Sequence, residues 1–287
     1  MTRTPTVEWQ VAGACNYDCS YCIQSKRYRR GRPVAEQLDH AIAAFAALPG
    51  TWEIKCSGGE AFAHKLFLSQ IVPGLMARTP HRISVLTNFS ASRRDLMQFA
   101  RLTSGRLSVF SASLHLEFTD PDAFADKADW FRDLVDPDVR FVVNQVVRPG
   151  RLDEARACRD RLAERGIRWF PQLLKVKGRV VDYEGEEDDL RELIGDAPGP
   201  REANLAPSYQ GRTCWAGVDY FTVDKDGRAW SCRTAKRGGD GLLGNVFEGR
   251  LNLWKTPSPC PYDVCPCTVP ANRGMIAGVG PAAQASP

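Results

Sequence analysis

Residues 7–22 read VEWQVAGACNYDCSYC. The β-rich apolar run Val7 to Gly13 predicts a strand, and the cysteines that follow, Cys15, Cys19 and Cys22, are spaced C-x3-C-x2-C. A helix would bring these positions to one face. The motif instead follows a strand and Gly13, so a loop curling around a metal cluster fits better. Thiolates are the soft ligands that iron–sulfur clusters require. Three of them on a four-iron cluster leave one iron open. A zinc ion takes a fourth protein ligand, and no further His or Cys lies nearby in the sequence. Three unrelated buried thiols are the other alternative.

Outward from this segment, the chain has 287 residues, 43% of them hydrophobic, enough for one barrel-sized core with a smaller appendage. The net charge is +4, but 29 of the 38 cationic residues are arginines scattered along the chain, so the charge points to no nucleic-acid partner. The N-terminus lacks the apolar core of a signal peptide, and no stretch approaches the roughly 18 apolar residues of a membrane span. A soluble, cytoplasmic protein with no membrane partner is expected. In a reducing cytosol, clustered thiols point to metal rather than disulfides. The ten cysteines form two groups, Cys15 to Cys22 and Cys214 to Cys267, with Cys56 and Cys158 apart. Two metal sites follow.

Strand-like runs at Val7–Gly13, Trp52–Ser57, Arg82–Asn88, Leu107–His115, Val139–Val147 and Ile167–Leu174 alternate with helical stretches. The helices are predicted over Val34–Leu48, Phe62–Arg78, Ser92–Leu102, Pro121–Val135 and Leu152–Arg165. In the last of these, Leu152, Ala155, Cys158 and Leu162 recur at helical spacing and form the buried stripe. The fold class is therefore α/β: a partial (β/α)6 TIM-like barrel over residues 1–182, with working loops at the C-terminal ends of its strands. A linker is expected over 183–210. A cysteine-rich β-hairpin domain over 211–270 and a frayed tail over 271–287 complete the chain. The hairpin turns at Asp224-Lys225-Asp226-Gly227. Arg228 stands where an EF-hand needs an oxygen ligand, which argues against calcium there.

With Tyr21 before its third cysteine, the first motif resembles the signature of the radical S-adenosylmethionine (SAM) superfamily. That resemblance implies a [4Fe–4S] cluster on Cys15, Cys19 and Cys22, with SAM bound to the open iron and cleaved to a 5′-deoxyadenosyl radical. An external electron donor such as flavodoxin or ferredoxin is then implied as a partner. The segment Gly58-Gly59-Glu60 at the end of the second predicted strand is similar to the superfamily's SAM-binding GGE motif. Its glycines would let the backbone approach a ligand. The third strand ends in Leu86-Thr87-Asn88, which also resembles the superfamily pattern. On the fourth, Ser111, Ser113, His115 and Glu117 alternate with Phe110, Ala112, Leu114 and Leu116, so the polar set faces the barrel interior. The resemblance makes Ser111, Ser113 and, on the fifth strand, Asn144 candidates for holding SAM. His115 and Glu117 are candidates for substrate acid–base chemistry, or satisfy each other by a hydrogen bond. The basic run Lys26 to Arg32 either attracts an anionic substrate or is a solvated loop.

Cys214 and Cys232, with the hairpin between them, resemble the start of the SPASM and twitch modules that carry auxiliary clusters. The count of cysteines implies one auxiliary [4Fe–4S] cluster, held by Cys214 and Cys232 with two of Cys260, Cys265 and Cys267. A structural zinc is the alternative. Only fourteen residues precede Cys15, which leaves no room for a leader-peptide-binding domain and favours a small-molecule dehydrogenase or epimerase of the sugar or aminocyclitol type. The alternatives are a maturase of ribosomally made peptides, served by a separate leader-binding partner, and a non-catalytic electron carrier or redox sensor. An epimerase needs a thiol to return a hydrogen atom, for which Cys56 or a spare C-terminal cysteine is the candidate.

Overall fold

The chain folds around one large sheet, seen in a computed structural model that describes residues 3–176, 179–195, 208–263, 265 and 268–279. Six parallel strands come first: β1 (Thr6–Ala12), β2 (Glu53–Gly58), β3 (Arg82–Thr87), β4 (Leu107–Leu114), β5 (Arg140–Val147) and β6 (Trp169–Leu173). They stand side by side in chain order, each in parallel register with the next. This is the expected partial barrel. Pro171, which has no N–H to give a ladder, lies in β6 at the sheet's far edge.

Between the strands run α1 (Ala35–Ala46), α2 (Val72–Arg78), α3 (Arg93–Thr103), α4 (Pro121–Arg132) and α5 (Leu152–Glu164). Local chemistry sets their starts. Ser92 Oγ accepts from Asp95 N, and Asp120 Oδ1 accepts from the Asp122 and Ala123 amides, with Pro121 in the first turn of α4. The predicted stripe of α5 is buried as expected. The second helix departs from its predicted span: Phe62 to Leu66 are not helical, and a π-helical turn, Phe67–Ile71, precedes α2. In that turn Ile71 N reaches Leu66 O, and Pro73, in the first turn of α2, has no N–H to donate to the ladder.

The core is continuous from β1 across to α4. Phe89, Phe110, Phe124, Phe131 and Phe141 pack there with centroids 4.3 to 6.2 Å apart. Burying each contributes about 1.5–3 kcal/mol.

After β6 come the short pair β7 (Lys175–Val176) and β8 (Arg179–Val180) and then α6 (Glu187–Ile194). Beyond the undescribed residues 196–207 lies β9 (Thr213–Cys214), which pairs with β14 (Ser258–Pro259). The expected hairpin forms from β10 (Tyr220–Val223) and β11 (Arg228–Trp230), followed by β12 (Leu242–Asn245) and β13 (Arg250–Leu251). β10 lies parallel to β1, so the hairpin prolongs the barrel sheet to ten strands. β1's outer edge is thereby paired rather than open. At the hairpin turn, the buried Asp224 carboxylate accepts from the Asp226 and Arg228 amides and pairs with Lys236 at 3.3 Å.

Candidate active site

Cys15, Cys19 and Cys22 stand on the loop after β1 and line one cavity of about 480 Å³ at the C-terminal ends of the barrel strands. The loop is held from several sides. Gly59 N donates to Ala12 O at 2.8 Å, and Glu60 N to Ala14 O at 3.0 Å. A β-carbon on Gly59 would lie 2.1 Å from Ala14 O, and one on Gly58, whose φ is +131°, 2.2 Å from Ala12 O. The space a side chain would fill is thus taken by the cluster loop's own backbone, and not only by a ligand, as the sequence suggested. Both glycines still line the cavity.

Glu60 is buried and lies outside the cavity lining. Its carboxylate accepts from Thr87 Oγ1, Asn88 N and Phe62 N at 2.7, 2.6 and 3.1 Å. Burial raises its pKa, against the pull of these donors. Asn88, fixed by this contact, gives its side-chain amide to Asn16 Oδ1 at 2.9 Å and approaches Cys15 Sγ at 3.8 Å. Behind it, Phe89 adopts φ +59°, and Lys127 Nζ donates to Phe89 O and Ala91 O at 2.7 and 2.6 Å.

The alternation predicted for β4 is observed: Ser111, Ser113 and His115 line the cavity, as does Asn144 on β5, which donates to Ser111 Oγ at 2.6 Å. His115 and Glu117 do not bond to each other. The Tyr21 hydroxyl and His115 Nδ1 are 2.9 Å apart, Cys19 Sγ is 3.6 Å from the same nitrogen, and burial lowers the His115 pKa to about 4. Glu117 lies outside the cavity lining, accepts from Ser20 N and Ser20 Oγ, and pairs with Arg148 at 3.2 Å. Its place is as a brace on the cluster loop. Cys56 lies in the hydrophobic core with no exposed surface, and burial pushes its thiol up to about 12.

The three thiols fit an iron–sulfur cluster. Burial first, then the negative charges of Cys15 and Cys22, pushes Cys19 up to about 11. A cationic centre would relieve that repulsion. Among the described residues no three His, Cys, Asp or Glu side chains converge as a single metal ion needs. All three thiols line the one cavity, and thiolates are the ligands an iron–sulfur cluster takes.

A second cysteine group lines a separate cavity of about 120 Å³: Cys214 at β9, Cys232 after β11, Cys260 after β14, and Cys265. Cys267 lies outside the described residues. Cys232 Sγ accepts from Ala235 N, capping the helix Arg233–Gly238. Burial, with the charge of Cys260 added, pushes Cys214 up to about 11. Thr234 Oγ1, in the same wall, is buried without a hydrogen-bond partner.

Several lining residues escaped sequence reasoning. Glu8 on β1 is buried, accepts from Arg233 Nε and Nη2 and from the Tyr220 hydroxyl, and has Lys55 Nζ at 3.7 Å. Burial opposes its charge, but Arg233 and Lys55 outweigh that and bring its pKa down to about 2. The available signal was a carboxylate inside an apolar strand, which needs a buried cation. Its partner is more than two hundred residues away, so the sequence did not reveal it. Of the basic run Lys26 to Arg32, Arg29 alone lines the cavity, while Tyr28 packs against Lys225 and Lys236.

No family model matches the chain. Two GTP 3′,8-cyclases of Stenotrophomonas maltophilia, from strains K279a and R551-3, are 32% and 31% identical over 118 and 116 residues. Those matches cover 39% of this chain and 35% of each relative. Among solved structures, anSMEcpe with bound AdoMet superposes with a TM-score of 0.60 at 15% identity, over 85% of this chain and 78% of that one. Streptococcus suis SuiB bound to its precursor peptide SuiA gives 0.61 at 16%, over 86% and 63%. BtrN in complex with AdoMet and 2-DOIA gives 0.50 at 14%, over 86% and 80%. The chain has the fold of these radical SAM enzymes, and the Cys15, Cys19 and Cys22 motif after its first strand resembles that superfamily's signature.

Proposed function

We propose that this chain is a radical SAM enzyme that removes a hydrogen atom from a small molecule bound in the 480 Å³ cavity. The observation that carries this is the convergence of Cys15, Cys19 and Cys22 on the same cavity as Gly58, Gly59, Ser111, Ser113 and Asn144. When bound there, a [4Fe–4S] cluster and SAM supply a 5′-deoxyadenosyl radical by one-electron reductive cleavage of the S–C5′ bond. The chain's residues supply placement and exclusion of side reactions. Asn88 and Tyr17 N turn donors toward Cys15 Sγ, Glu117 fixes the loop through Ser20, and the Ser111–Asn144 pair offers polar groups toward the ribose.

Dehydrogenation is favoured over epimerisation. Among the described residues, no thiol outside the two cysteine groups lines the cavity, and Cys56 is sealed in the core. A dehydrogenation also needs an acceptor for the second electron. Cys214, Cys232, Cys260 and Cys265 would hold an auxiliary [4Fe–4S] cluster suited to that task, and the four-thiol cavity with the partnerless Thr234 Oγ1 supports it. A second reading is a peptide maturase, supported by the peptides bound in the SuiB and anSMEcpe structures.

The test is anaerobic reconstitution, reduction with dithionite and assay of 5′-deoxyadenosine from SAM. Production that disappears in the Cys15→Ala, Cys19→Ala, Cys22→Ala triple variant supports the enzyme. No product from well-loaded protein, with or without candidate substrates, turns the reading toward an electron carrier. Turnover in D2O separates the outcomes, since an epimerase takes solvent deuterium into carbon through its thiol and a dehydrogenase does not.

A further inference from the structure

The charged side chains in the wall of the large cavity are strongly unbalanced. Five are cations, Arg29, Lys55, Lys175, Arg233 and Arg237, and one, Glu8, is a carboxylate; of the five, Arg29 is met from outside the wall by Asp18 at 2.6 Å. Glu8 is already committed to Arg233 through two nitrogens and to Tyr220, so it has little capacity left for a ligand's ammonium group. Arg237 forms no salt bridge among the described residues, although it faces the cavity from the helix after β11. SAM does not account for the imbalance. Its sulfonium, ammonium and carboxylate sum to one positive charge, about balanced by the single negative charge of an oxidised four-iron cluster on three thiolates.

We propose that the small-molecule substrate carries an oxyanion, a carboxylate or a phosphate, held by Arg237 together with Lys55 and Arg233. An aminocyclitol or other amine is disfavoured by the same wall. This rests on the function proposed above and names its substrate class. A guanidinium offers paired donors to an oxyanion, and in a partly enclosed cavity these bonds are stronger than in water. Lys55, held at 3.7 Å from Glu8, can turn a second ammonium proton toward the same anion without leaving its partner. Anchoring one end of the substrate in this way would fix which C–H bond faces the cluster loop.

The test uses reconstituted holoenzyme with SAM and matched probes differing in charge: glucose 6-phosphate, glucose and glucosamine, then 3-phosphoglycerate, glycerate and glycerol. Binding is measured anaerobically by calorimetry. The charged acids are expected to bind at least about tenfold more tightly than their neutral counterparts, and glucosamine no better than glucose. Glucose 6-phosphate against glucose reads phosphate alone and glycerate against glycerol reads carboxylate alone, so the two ratios distinguish which anion is preferred. Arg237→Met should remove most of the preference, whereas Arg250→Met, an exposed arginine outside the cavity lining, should leave it intact. Equal binding across each series, tighter binding of glucosamine, or an unchanged preference in Arg237→Met overturns the proposal. Formation of 5′-deoxyadenosine by the same wild-type preparation without probes reports separately on the radical SAM function.

Discussion

Gly59 shows how tightly single residues constrain the site. Any side chain there would place its first carbon 2.1 Å from Ala14 O, against backbone that also holds the Glu60 amide. Gly59→Ala should cost about 1–3 kcal/mol and lower iron incorporation on reconstitution. Gly105→Ala, at a φ of +76° with nothing nearby, should cost about 1 kcal/mol and leave iron content unchanged. Thermal unfolding and iron per chain separate the two. Phe89 is the complementary case, a bulky residue held at φ +59° because Lys127 engages the carbonyls on either side of Ser90 and its ammonium lies 4.7 Å from the Phe89 ring centroid. Lys127→Met is expected to destabilise the protein by about 2–3 kcal/mol in urea titrations.

Among the elements, β1 has the most to reconcile, because it carries Glu8 into the sheet between β2 and β10. With its pKa near 2, well below the ordinary carboxylate value of 4.5, ionised Glu8 stabilises the fold above that ordinary value. The contribution is lost as pH falls from 4.5 toward 2, because the unfolded chain takes up the proton first. Glu8→Gln should cost about 3–5 kcal/mol at neutral pH, by leaving Arg233 without its buried partner, and should flatten the acid limb of the stability profile. An unchanged profile in that variant would show that the carboxylate bears no such charge in the fold. The six parallel strands and the stripe of α5 were legible in the sequence because each is set by local periodicity. The parallel pairing of β1 with β10, and the ion pair across it, were not, because neither partner's neighbours encode the other. In the candidate site, the three cysteines and the inward face of β4 were legible from spacing and alternation. Glu60 and Glu117 were not legible as braces, since a carboxylate's role depends on which amides the fold brings to it.

At the scale of the whole molecule, two cysteine groups sit in two cavities, and they predict two centres that can be emptied separately. On the proposed two-cluster reading, the wild-type protein should hold about eight irons and a Cys214→Ala, Cys232→Ala double variant about four, with formation of 5′-deoxyadenosine retained. Loss of all iron in that variant would mean that the second group is needed to fold the first.

The pairing of β1 with β10 also bears on synthesis. Thr6 lies beside Tyr220, so during translation the first strand leaves the ribosome long before the segment that covers its flank. Until that segment arrives, the nascent barrel exposes an unpaired strand whose Glu8 carboxylate has Lys55 nearby but lacks its principal counterion, Arg233. Such a chain is vulnerable to association with its neighbours. Versions truncated ahead of residue 220 should therefore collect in the insoluble fraction, even though all six barrel strands are present.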